Sequence, residues 1–519
     1  MSVHKTHETE LERLESLEKR AEMGGGQAAI DRHHERGKLT ARERVGLLFD
    51  SGTFIELNKL AETRNFDFGM EQKNVPGDGV VVGYGKVHGR LVFAYAQDAT
   101  VLGGSVARVH AAKICRIMDD AMKAGAPLVA LCDSAGGRLQ EGYAASEGVA
   151  GMFYRNTAAS GLIPQIAAIL GPCAGLAAYS PALMDFVVMT RGSQMMITGP
   201  AVIKAVTSQD VTIEELGGVR VHSEITGQAH FVTDNDEGAV EQIIELLSYL
   251  PSNQSEAPPV VETDDDPNRV DGSLQEIVPA EVRKAYDMRK VILRVVDNRK
   301  FLEILPRYAD NMIIGLARLD GEAVGIVANQ PRIKAGCLDV NASDKAARFI
   351  RFCDSFNIPL VNLVDVPGYF PGMDQEHAGI IRHGAKMLFA YSEATVPKIT
   401  LTLRKNYGGA NMGMCCMGMG PDIVMTWPVA QLAIMDTAAA VDIIYAKDIK
   451  TAEKPQEFRE EKIKEYDYKY SNPYFAASAM LVDRIIRPRE TRPELINALK
   501  MLKNKQRPAP VKRHGNIPL

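Results

Sequence analysis
Apolar residues along the chain follow two rhythms, and their alternation predicts the elements. From Val80 to Gln97 the pattern alternates around Gly83-Tyr84-Gly85 and Val87-His88-Gly89, which predicts strands. Ser105 to Ala124 predicts a helix, Pro127 to Leu131 a buried strand, and Asp133-Ser134-Ala135-Gly136-Gly137-Arg138 a turn. Leu360 to Leu363 predicts another strand, followed by the turn Asp365-Val366-Pro367-Gly368-Tyr369-Phe370-Pro371-Gly372. Residues 8–50 read as largely helical: Leu11, Leu14 and Leu17 form a narrow stripe, Gly24-Gly25-Gly26 a break, and Thr40 an N-cap. The Gly83-Tyr84-Gly85 triplet leads into a strand and not a helix, which argues against a dinucleotide fingerprint.

The pattern repeats. Gly89 to Gln97 matches Gly321 to Asn329 at an offset of 232 residues, and Pro127-Leu128 and Asp133 match Pro359-Leu360 and Asp365 at the same offset. Asp185 to Thr190 resembles Asp422 to Thr426, and Gln194 to Ile197 resembles Gln431 to Ile434. A near-constant offset over several elements implies two related α/β domains. The boundaries are expected at residues 1–255 and 274–519. The polar, turn-rich stretch 256–273, with Pro258-Pro259 and Asp264-Asp265-Asp266-Pro267, is expected as a linker.

Each repeat carries one turn of particular chemistry. Ile163-Pro164-Gln165-Ile166 runs to Gly171-Pro172-Cys173-Ala174-Gly175-Leu176-Ala177-Ala178-Tyr179-Ser180. Val396-Pro397-Lys398-Ile399 runs to Asn406-Tyr407-Gly408-Gly409-Ala410. Each reads as strand, tight glycine turn and helix start, where unpaired N–H groups and the helix dipole can hold a negative oxygen. Two such oxyanion holes suit chemistry in which two carbonyl oxygens gain charge.

Composition narrows the class. A chain of 519 residues that is 46% apolar can bury large cores, and a net charge of −5 gives no footprint for nucleic acid. The seven Cys lack zinc-type spacing, which points to reduced thiols in a cytoplasm and to no metal site. Met1 to Lys19 lacks the apolar centre of a secretory signal, and no apolar run reaches the ~20 residues of a membrane helix, so a soluble protein is expected. Ala121-Met122-Lys123 has the form of a biotinylation motif but falls in a predicted helix, so Lys123 is expected to be an ordinary surface lysine.

Several motifs in order resemble one family. They are Gly24-Gly25-Gly26, Gly37 to Arg44, Asp133 to Glu141, Gly171 to Ser180, Asn341 to Lys345, Asp365 to Gly368, Arg382 to Lys386 and Arg513 to Ile517. The family is the carboxyltransferase subunit of biotin-dependent acyl-CoA carboxylases and decarboxylases, including propionyl-CoA carboxylase β chains, methylmalonyl-CoA decarboxylase α subunits and large transcarboxylase subunits. The resemblance implies two crotonase-like (ClpP/crotonase) domains, acyl-CoA on the N-terminal side, biotin on the C-terminal side, and a hexamer built from dimers. It implies transfer of a carboxyl group between carboxybiotin and the α-carbon of a short acyl-CoA. Biotin carries the proton, so no side-chain base is needed.

Carried over by position, Gly175 and Leu176 are the donors for the acyl-CoA carbonyl, and Gly409 and Ala410 those for biotin. Ala135, Gly136, Gly137, Ala177 and Met412 fall on the substrate, and Val366, Pro367, Gly368 and Gly408 on biotin. The family usually has Gly at Leu176, Tyr at Asn411 and Asp or Leu at Met412. The chain also has Met435-Asp436-Thr437 in place of Met-Gly-Ala, and Asp436 pairs internally with Gly199 as a helix start. These departures bear on which acyl group is taken. A glutaconyl-CoA or other decarboxylase subunit is the alternative to the propionyl or methylmalonyl type. The chain has no biotin-carrier motif in context and no ATP-binding loop. A biotin carboxyl carrier and either a biotin carboxylase or membrane decarboxylase subunits are therefore the expected partners.

Two rival readings remain at this level. Gly171-Pro172-Cys173-Ala174-Gly175 spells a thiol nucleophile elbow, but the repeat replaces Cys173 by Asn406. A non-catalytic scaffold subunit is the other. His34 and His383 are candidate catalytic groups, with hydrogen-bonded structural roles as the more frequent use of such residues.

Overall fold
A computed structural model describes residues 6–73, 75–506 and 513–519; the first five residues of the N-terminal stretch lie outside them. The chain divides into two compact units, one running to Glu256 and the other from Ala257.

In the first unit the helices His7–Glu22, Gln27–His34 and Ala41–Leu48 precede the sheet. The break between the first two falls at the three glycines. Thr40 caps the third helix, accepting from the Glu43 amide while the Glu43 carboxylate takes the Thr40 amide. The strands are β1 (Ile55–Leu57), β2 (Val80–Val87), β3 (Arg90–Gln97), β4 (Leu128–Ser134), β5 (Gln165–Ala174), β6 (Phe186–Thr190), β7 (Gln194–Met196) and β8 (Phe231–Thr233). They lie in the order β1-β2-β3-β4-β5-β6-β8, with β7 pairing beside β5. The sheet is antiparallel through β3 and parallel from there on. Every residue of β4 is buried, as expected for a parallel strand covered on both faces. One cover is the helix Arg108–Ala124, which buries Ala111, Ile114, Ile117, Met118 and Ala121 and stops at Gly125 in the left-handed conformation.

The second unit repeats the plan with β9 (Phe301–Ile304), β10 (Met312–Leu319), β11 (Glu322–Asn329), β12 (Leu360–Val366), β13 (Lys398–Tyr407), β14 (Ile423–Thr426), β15 (Gln431–Ala433) and β16 (Arg484–Ile485). Their order is β16-β14-β13-β12-β11-β10-β9, with β15 beside β13. β11 and β12 follow β3 and β4 by 232 residues and β13 follows β5 by 233. Residues 257–273 carry no strand or helix and are tied to this second unit. Arg318 holds the Pro259 carbonyl, the Val261 amide donates to Gly321, and Arg492 reaches the carbonyls of Asp265 and Asp266.

Two features of the repeat place chemistry. The β4–β5 pairing shifts register between Cys132 and Ser134, and the β12–β13 pairing between Val364 and Val366, so Asp133 and Asp365 each sit at the irregularity. β5 and β13 are each ten residues long and shared by two neighbours. Their first halves pair with β6 and β14, and their last residues with β7 and β15. The shorter partners carry each long strand out to its terminal glycine turn.

Candidate active site
At the end of β4 the main chain is clamped. The Asp133 amide donates to Gln97 Oε1 at 3.2 Å, and Gly104 lets its own loop lie against the Asp133 carbonyl, where a Cβ would meet that oxygen at 2.1 Å. The repeat reproduces both contacts: the Asp365 amide donates to Asn329 Oδ1 at 3.2 Å, and a Cβ on Gly336 would lie 2.6 Å from the Asp365 carbonyl. Each buried carboxylate is neutralised by arginine from a different place. Arg44, on the helix Ala41–Leu48, donates to Asp133 at 3.0 Å and to Asp236 at 2.8 Å. Asp365 instead takes Arg404, from β13, at 3.0 Å. Arg404 stands at the repeat position of Gly171, where a Cβ would meet Asp133 Oδ1 at 2.1 Å, so the first unit has no room for that solution. Burial raises the Asp365 pKa against the opposing pull of Lys405 and Arg404. Burial lowers that of His33, whose Nε2 lies 3.6 Å from Asp133, against the attraction of that carboxylate.

Beyond the clamp each unit forms a loop anchored by a single parallel bridge. In the first unit Val106 donates to the Gly136 carbonyl at 2.8 Å and accepts from the Arg138 amide at 2.8 Å. The Ala135 amide is used on Gly103 at 2.9 Å and the Gly136 amide on Ser134 Oγ at 3.2 Å. The N–H of this loop outside these bonds is that of Gly137. In the second unit Leu338 donates to Gly368 at 3.1 Å and accepts from Phe370 at 2.7 Å. The residue equivalent to Gly137 is therefore Tyr369, 232 positions on. Pro367, expected on the biotin side, has no N–H to give. Sequence reasoning misses Tyr369 because its equivalence to Gly137 rests on the bridges from Val106 and Leu338, which no local motif announces.

Facing each loop is the glycine turn. Gly175 and Gly408 both have φ of +58°, the left-handed conformation that glycine adopts without strain. They are structural equivalents, so Leu176 pairs with Gly409 and Ala177 with Ala410. The residues carried over from the family, Gly175-Leu176 and Gly409-Ala410, are thus offset by one position in the repeat. The helical segment after each glycine is shorter than a helix start suggests: a 3-10 turn over Gly175–Ala178 with one further turn Tyr179–Ala182, and a six-residue helix Gly408–Gly413. Such short turns contribute their unpaired first N–H groups and little macrodipole. Each half thus juxtaposes a loop carrying an N–H outside these bonds, at Gly137 or Tyr369, with a turn carrying first-turn N–H groups, an arrangement that can stabilise an oxygen gaining negative charge. An apolar cavity of about 690 Å³ opens beside the first turn, lined by Ala178, Tyr179, Met195, Ile197 and Val202 among others.

The other expected residues take mostly structural places. Ala410 is buried, and Met412, on the same short helix, is 46% exposed. Val366 is buried as the last residue of β12. Cys173 is buried, its thiol donates to the Ala177 carbonyl at 3.4 Å, and burial raises its pKa well above the ordinary range, so it is no thiolate nucleophile. His34 is bonded to Glu43, and His383 to Asp344 at 2.8 Å beside Lys386. Asp436 caps the helix Thr437–Ile444 through the Ala438 and Ala439 amides. Lys123 is an exposed residue paired with Asp120. Among the described residues no cluster of His, Cys, Asp or Glu is arranged to hold a metal, and no helix is long and apolar enough to cross a membrane.

Comparison with known proteins identifies relatives over the whole length. The carboxyl transferase domain family matches residues 32–517. The propionyl-CoA carboxylase carboxyltransferase subunit of Haloferax mediterranei is 52% identical over 515 residues, 99% of this chain and 100% of that protein. The methylmalonyl-CoA decarboxylase α subunit of Veillonella parvula is 51% identical over 515 residues, with the same coverage. Among solved structures, transcarboxylase 12S, described as a hexamer with methylmalonyl-coenzyme A and methylmalonic acid bound, matches with a TM-score of 0.97 at 47% identity over 100% of both chains.

Proposed function
The chain belongs to the carboxyl transferase domain family and is an acyl-CoA carboxyltransferase, and we propose that it moves a carboxyl group between biotin and the α-carbon of propionyl-CoA or a close homologue. Its two units are crotonase-like, as in transcarboxylase 12S. The observation that carries the proposal is the duplicated pairing of a bridged loop with a turn of φ +58°.

The first unit takes the acyl-CoA. The Gly137 and Leu176 N–H groups donate to the thioester oxygen, and these bonds strengthen as the α-carbon loses its proton and the oxygen becomes an enolate oxygen. The Asp133 clamp fixes the loop so that this donor is in place before charge develops. Losing one such donor costs ~3–4 kcal/mol of transition-state stabilisation in comparable sites.

The second unit takes biotin. Its donors suit a ureido carbonyl: the Tyr369 and Gly409 N–H groups, with the small residues Gly408 and Ala410 beside them. Biotin supplies the carboxyl carrier and the proton acceptor when bound, consistent with turns that contribute main-chain groups and no side-chain base. The chain's own part is to hold that carbonyl oxygen and to keep Tyr369 in its neutral form, its pKa pushed up to about 12 by burial. We place the biotin on a separate carrier protein. An ATP-driven carboxylase or a membrane decarboxylase would be the further partner, and a hexamer the assembly. The seven cysteines are free thiols, in keeping with a cytoplasmic setting.

The test is carbon dioxide release from malonyl-, methylmalonyl-, ethylmalonyl- and glutaconyl-CoA by the purified protein, with and without free biotin. Biotin-dependent release, fastest from methylmalonyl-CoA, is expected. Preference for glutaconyl-CoA would reassign the substrate, and no biotin-dependent release from any ester would favour the scaffold reading.

A further inference from the structure
The two candidate holes differ in one reciprocal exchange. In the first unit the loop residue is Gly137 and the turn residue is Leu176; a Cβ on Gly137 would lie 3.2 Å from Leu176 Cδ1. In the second unit the loop residue is Tyr369 and the turn residue is Gly409; a Cβ on Gly409 would lie 3.7 Å from the Tyr369 ring. Each hole therefore has one bare wall and one side chain laid across it, from the turn in one unit and from the loop in the other. The Tyr369 side chain is also seated against Gly384 and Gly413, where a Cβ would lie 2.9 Å from its ring and 2.8 Å from its hydroxyl oxygen, respectively. Leu176 is half-buried, packs partly on the core of its unit, and faces a half-buried glycine.

We infer that Leu176 is a specificity-determining residue: its isobutyl group is the wall that an α-substituent of the bound acyl group meets, and it sets the largest substituent accepted. This rests on the reading of the first unit as the acyl-CoA side. The main-chain N–H of Leu176 donates to the thioester oxygen, and the α-carbon is two bonds from that oxygen, which brings it near the side chain of the same residue. A methyl substituent is accommodated against it and a longer chain displaces it. A pocket that must reject one additional methylene discriminates by about 10–200-fold.

The experiment measures affinities of acetyl-, propionyl- and butyryl-CoA by calorimetry for the full-length protein and for Leu176→Ala, Leu176→Gly and Leu176→Met. All three variants keep the N–H, and only the first two remove the wall. In the wild type, propionyl-CoA is expected to bind about tenfold or more tightly than butyryl-CoA. That ratio falls about tenfold in Leu176→Ala and Leu176→Gly and is retained in Leu176→Met. Thermal unfolding and the KM for free biotin serve as readouts of a merely structural effect, which would move all thioesters together. An unchanged propionyl-to-butyryl ratio in both truncations overturns the inference while leaving the carboxyltransferase reading standing. Failure of the wild type to bind any of the thioesters overturns both.

Discussion

Replacing Gly136 by Ala tests the first hole most sharply. Gly136 has φ of +105°, and a Cβ built there lies 2.8 Å from the Ala174 carbonyl oxygen, about half an ångström inside normal contact. Ala174 is the last residue of β5 and immediately precedes Gly175, whereas Gly136 immediately precedes Gly137. The methyl group therefore wedges between the two segments that carry the two donors. The Gly136 carbonyl is held by Val106 at 2.8 Å, so the strain is relieved by opening the gap. The backbone conformation alone costs about 1–3 kcal/mol for a residue with a Cβ. The catalytic loss should match removal of one donor, ~10²–10³ in kcat. KM for the acyl-CoA should change little, because the donor acts where charge develops. The assay is biotin-dependent decarboxylation of methylmalonyl-CoA. Gly142→Ala is the control: it imposes an alanine at φ +55° with nothing within 4 Å, so stability falls while kcat is retained. A Gly136→Ala enzyme with kcat within threefold of wild type would refute the reasoning.

Four further outcomes are expected of the same structure. Gly408→Ala places a methyl 3.1 Å from the Ile434 carbonyl at φ +58°, and should raise KM for free biotin or lower kcat without weakening acyl-CoA binding, as read by titration. Asp365→Ala leaves buried Arg404 without its carboxylate and should destabilise the protein by about 3–5 kcal/mol in denaturant unfolding; a loss under 1 kcal/mol would contradict the clamp. Lys345, bonded to the Leu305, Tyr308 and Ala309 carbonyls, has its pKa lowered by burial to about 7. Between that value and the unfolded ~10.4 the unfolded chain holds the extra proton, so the stability of wild type relative to Lys345→Met should rise from pH 7 to 9, by up to about 1.4 kcal/mol per pH unit. Cys173→Ser should leave decarboxylation intact, and the wild type should resist iodoacetamide, because the thiol is buried and protonated.

The repeat is legible in the sequence because its signal is carried by buried strands. β3 and β11, or β4 and β12, are continuous apolar runs whose spacing survives duplication. The turns at Gly175 and Gly408 are legible because only glycine tolerates that conformation without strain. The hidden part lies in contacts between distant segments. Tyr369 corresponds to Gly137 through the bridges from Val106 and Leu338, and nothing near Tyr369 in the chain announces it. The arginine facing each aspartate comes from a helix before the sheet in one unit and from the neighbouring strand in the other, so the motif around Asp133 and Asp365 cannot reveal the exchange. The one-residue offset between Gly175-Leu176 and Gly409-Ala410 likewise emerges only when the two turns are matched by their shared backbone conformation.

The most direct measurement follows the carboxyl group itself. Methylmalonyl-CoA labelled with carbon-14 in its free carboxyl is incubated with the protein and free biotin, and the reaction is quenched by methylation to trap any carboxylated biotin. Label recovered with biotin, and lost in both Gly136→Ala and Gly408→Ala, is the expected result. Release of the label as carbon dioxide at the same rate without biotin, or its retention on CoA, would contradict carboxyl transfer between two oxyanion-stabilised partners.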